Sequence, residues 1–270
     1  MFKHSMYLPD DKLKDWVKVI WFLEQDGKEK MEEKIIMPDG CVCLTFILTN
    51  HTENSFCYGS TLEYGIYISP PSMEKYATAL NDELYAVDVT LYPGVFFNLF
   101  GIPITAMEHR MYNVKELSLN FDESILEKLI RYKGNVELSL NCLNDFLYKL
   151  FYQRFRPDAL LLSTSDLVRK GDLDHFYLQQ SLSTRQIQRK IKESTGLNPN
   201  TIHRINRFYN SLKYIKQNEC NLKFSQIALA NQFTDQSHFI KEFKFFSGKT
   251  PKEFLLNSQD YLQYTCNIYC

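Results

Sequence analysis

Near the carboxyl end, Asp235-Gln236-Ser237-His238 places an acid, an amide, a hydroxyl and an imidazole side by side. Such a set could hydrolyse a bond, hold a metal, or read hydrogen-bonding patterns on another molecule. Hydrolysis needs the serine and histidine to face each other, and consecutive residues on a helix point about 100° apart. A metal needs a third and a fourth ligand, and Asp235 with His238 supplies an i, i+3 pair alone. Recognition fits better: Asp235 caps a helix, and Gln236 and Ser237 project from its first turn.

The surrounding pattern is helical from Arg156-Pro157 onward, where proline disfavours helix in the residue before it. Helices are expected over 158–170, 172–180, 184–195, 199–217, 223–232, 235–247 and 251–259. Ser183, Asn198 with Pro199, Asp235, and Thr250 with Pro251 supply start signals, and Gly196 supplies a left-handed stop. Two units repeat the order short helix, turn, capped helix: FYLQQ-SLS-TRQIQRKIKES and SQIALANQ-FTD-QSHFIKEFKFF. Ser183 and Asp235 stand 52 positions apart, joined through one helix of about 19 residues, roughly 28 Å long at 1.5 Å per residue. That span approaches the ~34 Å between successive major-groove faces of B-DNA.

On the stretches LSTRQIQRKIKESTGLNPNTIHRINRF (182–208) and IALANQFTDQSHFIKEFKFFSGKTPKEF (227–254), the sequence resembles the AraC/XylS family of bacterial transcription regulators. The resemblance implies an all-α DNA-binding domain over 157–258, with two helix-turn-helix units inserted into adjacent major grooves. By position in the family motif, Gln236, Ser237 and Lys241 would read bases, and His238 and Lys244 would touch the backbone. In the first unit, Ile187 and Ile191 face the core. Arg185, Gln188 and Arg189 are the base readers there, because Arg can bond guanine and Gln adenine bidentately. Thr184, Lys190 and Lys192 suit phosphates, as do Arg204 and Arg207 on the linking helix. The sequence departs from the family at Gln232, where glycine is usual in the turn, and at Tyr177 and Gln180 in the first unit. A non-glycine residue held at positive φ costs on the order of 1 kcal/mol.

The first 156 residues read differently. VKVIWFL (17–23), CVCLTFIL (41–48), YGIYIS (64–69) and LYAVDVTLY (84–92) are strand-like runs divided by turn residues. A short helix is expected at VFFNLFG and longer ones over 121–132 and 136–155, where Leu143, Phe146, Leu147, Leu150 and Phe151 form one apolar stripe. The fold class is therefore α+β: a β-rich barrel- or sandwich-like sensing or dimerising domain at 1–156, the helical domain at 157–258, and a tail at 259–270. Residues 1–156 carry 16 basic against 22 acidic residues, and residues 157–257 carry 15 against 9, so the polyanion-facing half is the second. Seven scattered cysteines and the lack of a secretion signal suggest reduced thiols, and no apolar run approaches the ~18 residues of a membrane helix. A cytoplasmic protein without catalytic residues, metal or cofactor is expected. Its expected partners are double-stranded DNA, RNA polymerase for an activator, a small-molecule effector on the first domain, and a second copy through the 136–155 helix. Two alternatives stand beside this: a degenerate interaction protein that does not bind DNA, and a small-molecule or DNA-repair enzyme fused to the helices, for which a reactive Cys-His motif is missing.

Overall fold

The apolar runs of the first half form strands because each is buried on both faces. In the computed structural model, which describes residues 2–27, 34–49, 55–56, 60–61, 63–78, 83–156, 158–218 and 223–261, six strands make one antiparallel sheet. In chain order the strands are β1 (Phe2–Tyr7), β2 (Val17–Asp26), β3 (Lys34–Ile36), β4 (Val42–Ile47), β5 (Ser55–Phe56), β6 (Ser60–Thr61), β7 (Gly65–Ser69), β8 (Tyr76–Thr78), β9 (Glu83–Leu91) and β10 (Tyr112–Asn113). The large sheet runs β1-β2-β9-β4-β7-β10; β3 pairs with β8 and β5 with β6 as separate two-stranded ribbons.

One sheet face carries Ile20, Phe22, Leu44, Phe46, Tyr85, Val87 and Val89. Helices α1 (Val95–Phe100), α2 (Ser124–Arg131) and α3 (Val136–Arg154) cover it. Of the α3 stripe, Leu143, Leu147, Leu150 and Phe151 are buried against this sheet, and the half-buried Phe146 meets Phe46 edge-on at 5.8 Å. That face of α3 therefore serves its own domain. The other sheet face holds Val19, Trp21, Leu23, Ile47, Tyr67 and Ala86. Strict alternation would put Val17 with Val19, but a register irregularity between them turns Val17 to the helix-covered side.

Among the described residues the second half is helical: α4 (Ala159–Lys170), α5 (Leu173–Leu178), α6 (Thr184–Thr195), α7 (Pro199–Gln217), α8 (Phe224–Ala230), α9 (Gln236–Ser247) and α10 (Pro251–Leu256). The expected caps form. Ser183 and Gln186 make a reciprocal capping box, Asn198 Oδ1 accepts from Thr201 N, Asp235 Oδ1 from His238 N, and Thr250 Oγ1 from Glu253 N. Gly196 closes α6 at φ 73°. Ile202, Ile205, Tyr209, Leu212 and Ile215 make α7 the spine of the second core.

Two features were not anticipated, and a third shows how the tail begins. Strand β1 pairs with β2 over its whole length, from Phe2–Gln25 to Tyr7–Ile20. Met37, in the turn after β3, is fully buried within the helical core, and Tyr209 donates its hydroxyl hydrogen to the Met37 carbonyl at 3.3 Å. The two regions thus share a core across the Arg156-Pro157 boundary. Beyond α10 the chain docks: Tyr261 is wholly buried on Phe254, its ring centroid 4.4 Å away, and its hydroxyl donates to Ser247 O at 2.9 Å. Tyr261 also forms a parallel bridge with Ile35, and Lys34 Nζ donates to Gln259 O. The remainder of the expected tail, 262–270, lies outside the described residues. Among those residues Cys41, Cys43 and Cys142 are free thiols, and no helix is long and apolar enough to cross a membrane.

Candidate nucleic-acid interface

Helix α6 is amphipathic by sequence and folds accordingly. Ile187 and Ile191 are buried, while Thr184, Arg185, Gln188, Arg189 and Lys190 are exposed. Arg185, Gln188, Arg189 and Lys192 follow i, i+3, i+4, i+7 spacing and share one face. Lys192, at the far end, also lines a cavity of about 710 Å³ between α6 and the first domain, with Pro71, Met73, Lys75, Ile104 and His109. Gly196 packs there so closely that an added Cβ would come within 2.8 Å of Ile104 Cγ2.

Helix α9 buries Phe239, Phe243 and Phe246 and exposes Gln236, Ser237, Lys241 and Lys244. His238 is half-buried. Its Nδ1 accepts from Thr234 N at 3.3 Å and its ring meets Phe233 edge-on. The imidazole is therefore turned back on the preceding loop. No group of three or more His, Cys, Asp or Glu side chains that could hold a metal occurs among the described residues.

Arg204 and Arg207, expected at phosphates, also have partners within the protein. Both point toward the second unit and are engaged there. Arg204 Nε donates to Glu242 Oε2 at 2.8 Å and Nη2 to Oε1 at 2.9 Å, a bidentate fork, with the guanidinium 4.9 Å from the Phe245 ring centre and 5.5 Å from that of Phe246. Arg207 Nη1 donates to Gln232 O at 3.0 Å over the Phe233 ring. Burial lowers the Arg207 pKa from its ordinary value. Glu242 takes the Nε and Nη2 hydrogens of Arg204, and sequence reasoning missed this partner because it lies 38 positions away with no local periodicity to mark it.

Gln232 takes φ 59°, the left-handed conformation that glycine would adopt without strain. The first unit's departures are also accommodated. Gln180 Nε2 donates to Ser163 Oγ and to Phe176 O, tying α5 to α4, and Tyr177 packs half-buried against the helical core.

The base-reading candidates fall into two groups, Arg185, Gln188 and Arg189 on α6 and Gln236, Ser237 and Lys241 on α9, and both helices pack on α7. A second feature lies behind them: a cavity of about 280 Å³ between the first domain and α7, lined among others by Lys18, Asp39, Tyr92, Asn206, Tyr209 and Lys213. Lys18 pairs with Asp39 at 3.5 Å there.

Comparison with known proteins gives two family matches. A model described as a helix-turn-helix domain matches residues 179–257, and a domain of unknown function, DUF6597, matches residues 5–113. No curated protein sequence matches the chain. Among solved structures, ToxT from Vibrio cholerae is similar at 15% identity, with 94% of this chain and 98% of that chain covered and a TM-score of 0.42. ToxT from the same organism with a bound unsaturated fatty acid is similar at 15% identity, 94% and 95% coverage and a TM-score of 0.46. ToxT bound to (E)-4-(8-methylnaphthalen-1-yl)but-3-enoic acid gives 14%, 94%, 98% and 0.45.

Proposed function

We propose that this chain, whose residues 179–257 match a helix-turn-helix domain, is a sequence-specific transcription regulator of the AraC type that reads adjacent major grooves with α6 and α9. The observation that carries the reading is the pairing of two capped helices, each burying an apolar stripe and exposing a polar first turn, on the 19-residue α7. Arg185, Gln188 and Arg189 read one half-site and Gln236, Ser237 and Lys241 the other. Thr184, Lys190, Lys192, His238 and Lys244 steady the protein on phosphates, contacts that fix register and carry no sequence information. The expected sign of regulation is activation, through contact with RNA polymerase, with a second copy of the chain as a further partner.

Selection from random-sequence duplexes by the full chain tests the proposal. The retained pool should contain two short blocks with centres about 10 base pairs apart. A flat pool would refute DNA reading and favour an interaction protein that has lost it.

An effector enters this reading through the cavity between the first domain and α7. Apolar walls from Met6, Leu8, Val168, Ile202 and Ile205, with Lys18 and Lys213 beside them, suit a small amphipathic molecule. Binding there would bear on α7 directly, and α7 holds both reading helices.

A further inference from the structure

Resting on that reading, we propose that Arg204 and Glu242 are positioning residues: their ion pair sets the orientation of α9 on the linking helix and so fixes where the second half-site is read. The guanidinium is planar, and two parallel hydrogen bonds to one carboxylate hold both groups in a common plane. Such a fork restrains rotation of α9 about its own axis as well as its distance from α7. Glu242 is well placed for this, on the flank of α9 between the buried stripe of Phe239, Phe243 and Phe246 and the face bearing Lys241, from which it lies 100° around the helix. The pair is sheltered, with the Glu242 side chain 13% and the Arg204 side chain 33% exposed. Phe245 and Phe246 lie against the guanidinium, so the cation has rings on one side and a carboxylate in its plane.

Three residues on, one turn further along α7, Arg207 holds the carbonyl of Gln232, the left-handed turn residue ahead of α9. The second unit is thus attached to α7 by two arginine contacts as well as by its phenylalanines. The first unit is attached otherwise: α6 is seated by Ile187 and Ile191 and by the turn at Ile104–Ala106 of the first domain. Loss of the Arg204–Glu242 fork should therefore blur one half-site and spare the other.

The experiment uses full-length protein, the wild-type selected duplex and the variants R204K, R204A, E242Q and R204E/E242R, each first checked for cooperative thermal unfolding. R204K retains the charge and loses the fork. If the pair positions α9, R204K, R204A and E242Q each weaken binding by about tenfold, a change of about 1.4 kcal/mol. Their selected pools should lose preference in the α9 block and keep it in the α6 block, while the slope of log affinity against log salt stays unchanged. The exchanged pair in R204E/E242R should recover most of the affinity. Should the exchanged protein fail to fold, the comparison of R204K with E242Q decides. The proposal is overturned if R204A reduces the salt slope by about one unit while E242Q tightens binding, the signature of a phosphate contact released from its acid. It is equally overturned if both blocks blur together, or if a folded R204E/E242R binds no better than either single change. A wild-type pool without sequence preference would refute the DNA-reading function itself, a separate outcome seen before any variant is made.

Discussion

Replacing Asp88 by asparagine should make the protein more stable at neutral pH and remove part of its pH dependence. Asp88 sits in the middle of β9, on the sheet face opposite α3. It accepts hydrogen bonds from Thr45 Oγ1 at 2.7 Å and from Thr90 Oγ1 at 3.4 Å, with Asp39 and the Cys43 thiol nearby. Burial is the main cause that raises its pKa, from 3.8 to about 6, with Asp39 adding to it and the hydroxyls opposing it. Because the folded value exceeds the unfolded one, the native state binds the proton more tightly between those two values. Stability contributed by the neutral carboxyl is fully present below pH 3.8, falls as pH rises towards 6, and is absent above it. At 1.36 kcal/mol per pH unit the gap corresponds to about 3 kcal/mol. Asparagine keeps an acceptor for Thr45 and gains a donor for Thr90, and it cannot ionise. Urea unfolding followed by tryptophan fluorescence suits the measurement, since both tryptophans, Trp16 and Trp21, pack in this domain. The stability of D88N minus that of wild type should grow by about 2–3 kcal/mol between pH 4 and pH 7.5. A difference that stays flat over that range would show that the surroundings do not raise the Asp88 pKa, and the reasoning would fail.

Met37→Ala should cost about 2–5 kcal/mol, because its side chain fills a place in the helical core from outside the helical region, and chemical denaturation should show the loss. Gln232→Gly should raise stability by about 1 kcal/mol, read from the denaturant midpoint, by relieving the left-handed strain at φ 59°. Tyr261→Phe removes the hydrogen bond to Ser247 O and leaves that carbonyl buried without it, so a loss of about 1 kcal/mol is expected in the same assay.

What the sequence by itself determined is local. Ser183, Asn198, Asp235 and Thr250 lie next to the helix starts they cap, and the glycine at 196 lies next to the stop it makes, so each signal and its effect are a few residues apart. Period-two and period-3.6 patterns likewise located four strands of the large sheet and, among the described residues, the seven α-helices of the second half, to within a few residues. The expectation of strain at Gln232 came from the family resemblance, in which glycine is usual at that turn, and matches its positive φ.

Tertiary structure decided the remainder, because it depends on contacts between distant positions. Nothing in FKHSMY announces that it is an edge strand, since a half-buried edge lacks the apolar pattern of a buried one. Met37 belongs to the helical core only once Tyr209, 172 positions later, is folded beside it. Arg204 reads as a phosphate-contacting cation, and its fork to Glu242, 38 positions on, is visible only in the fold. Periodicity reports which face of an element is buried; which partner it meets is set by the whole chain's packing.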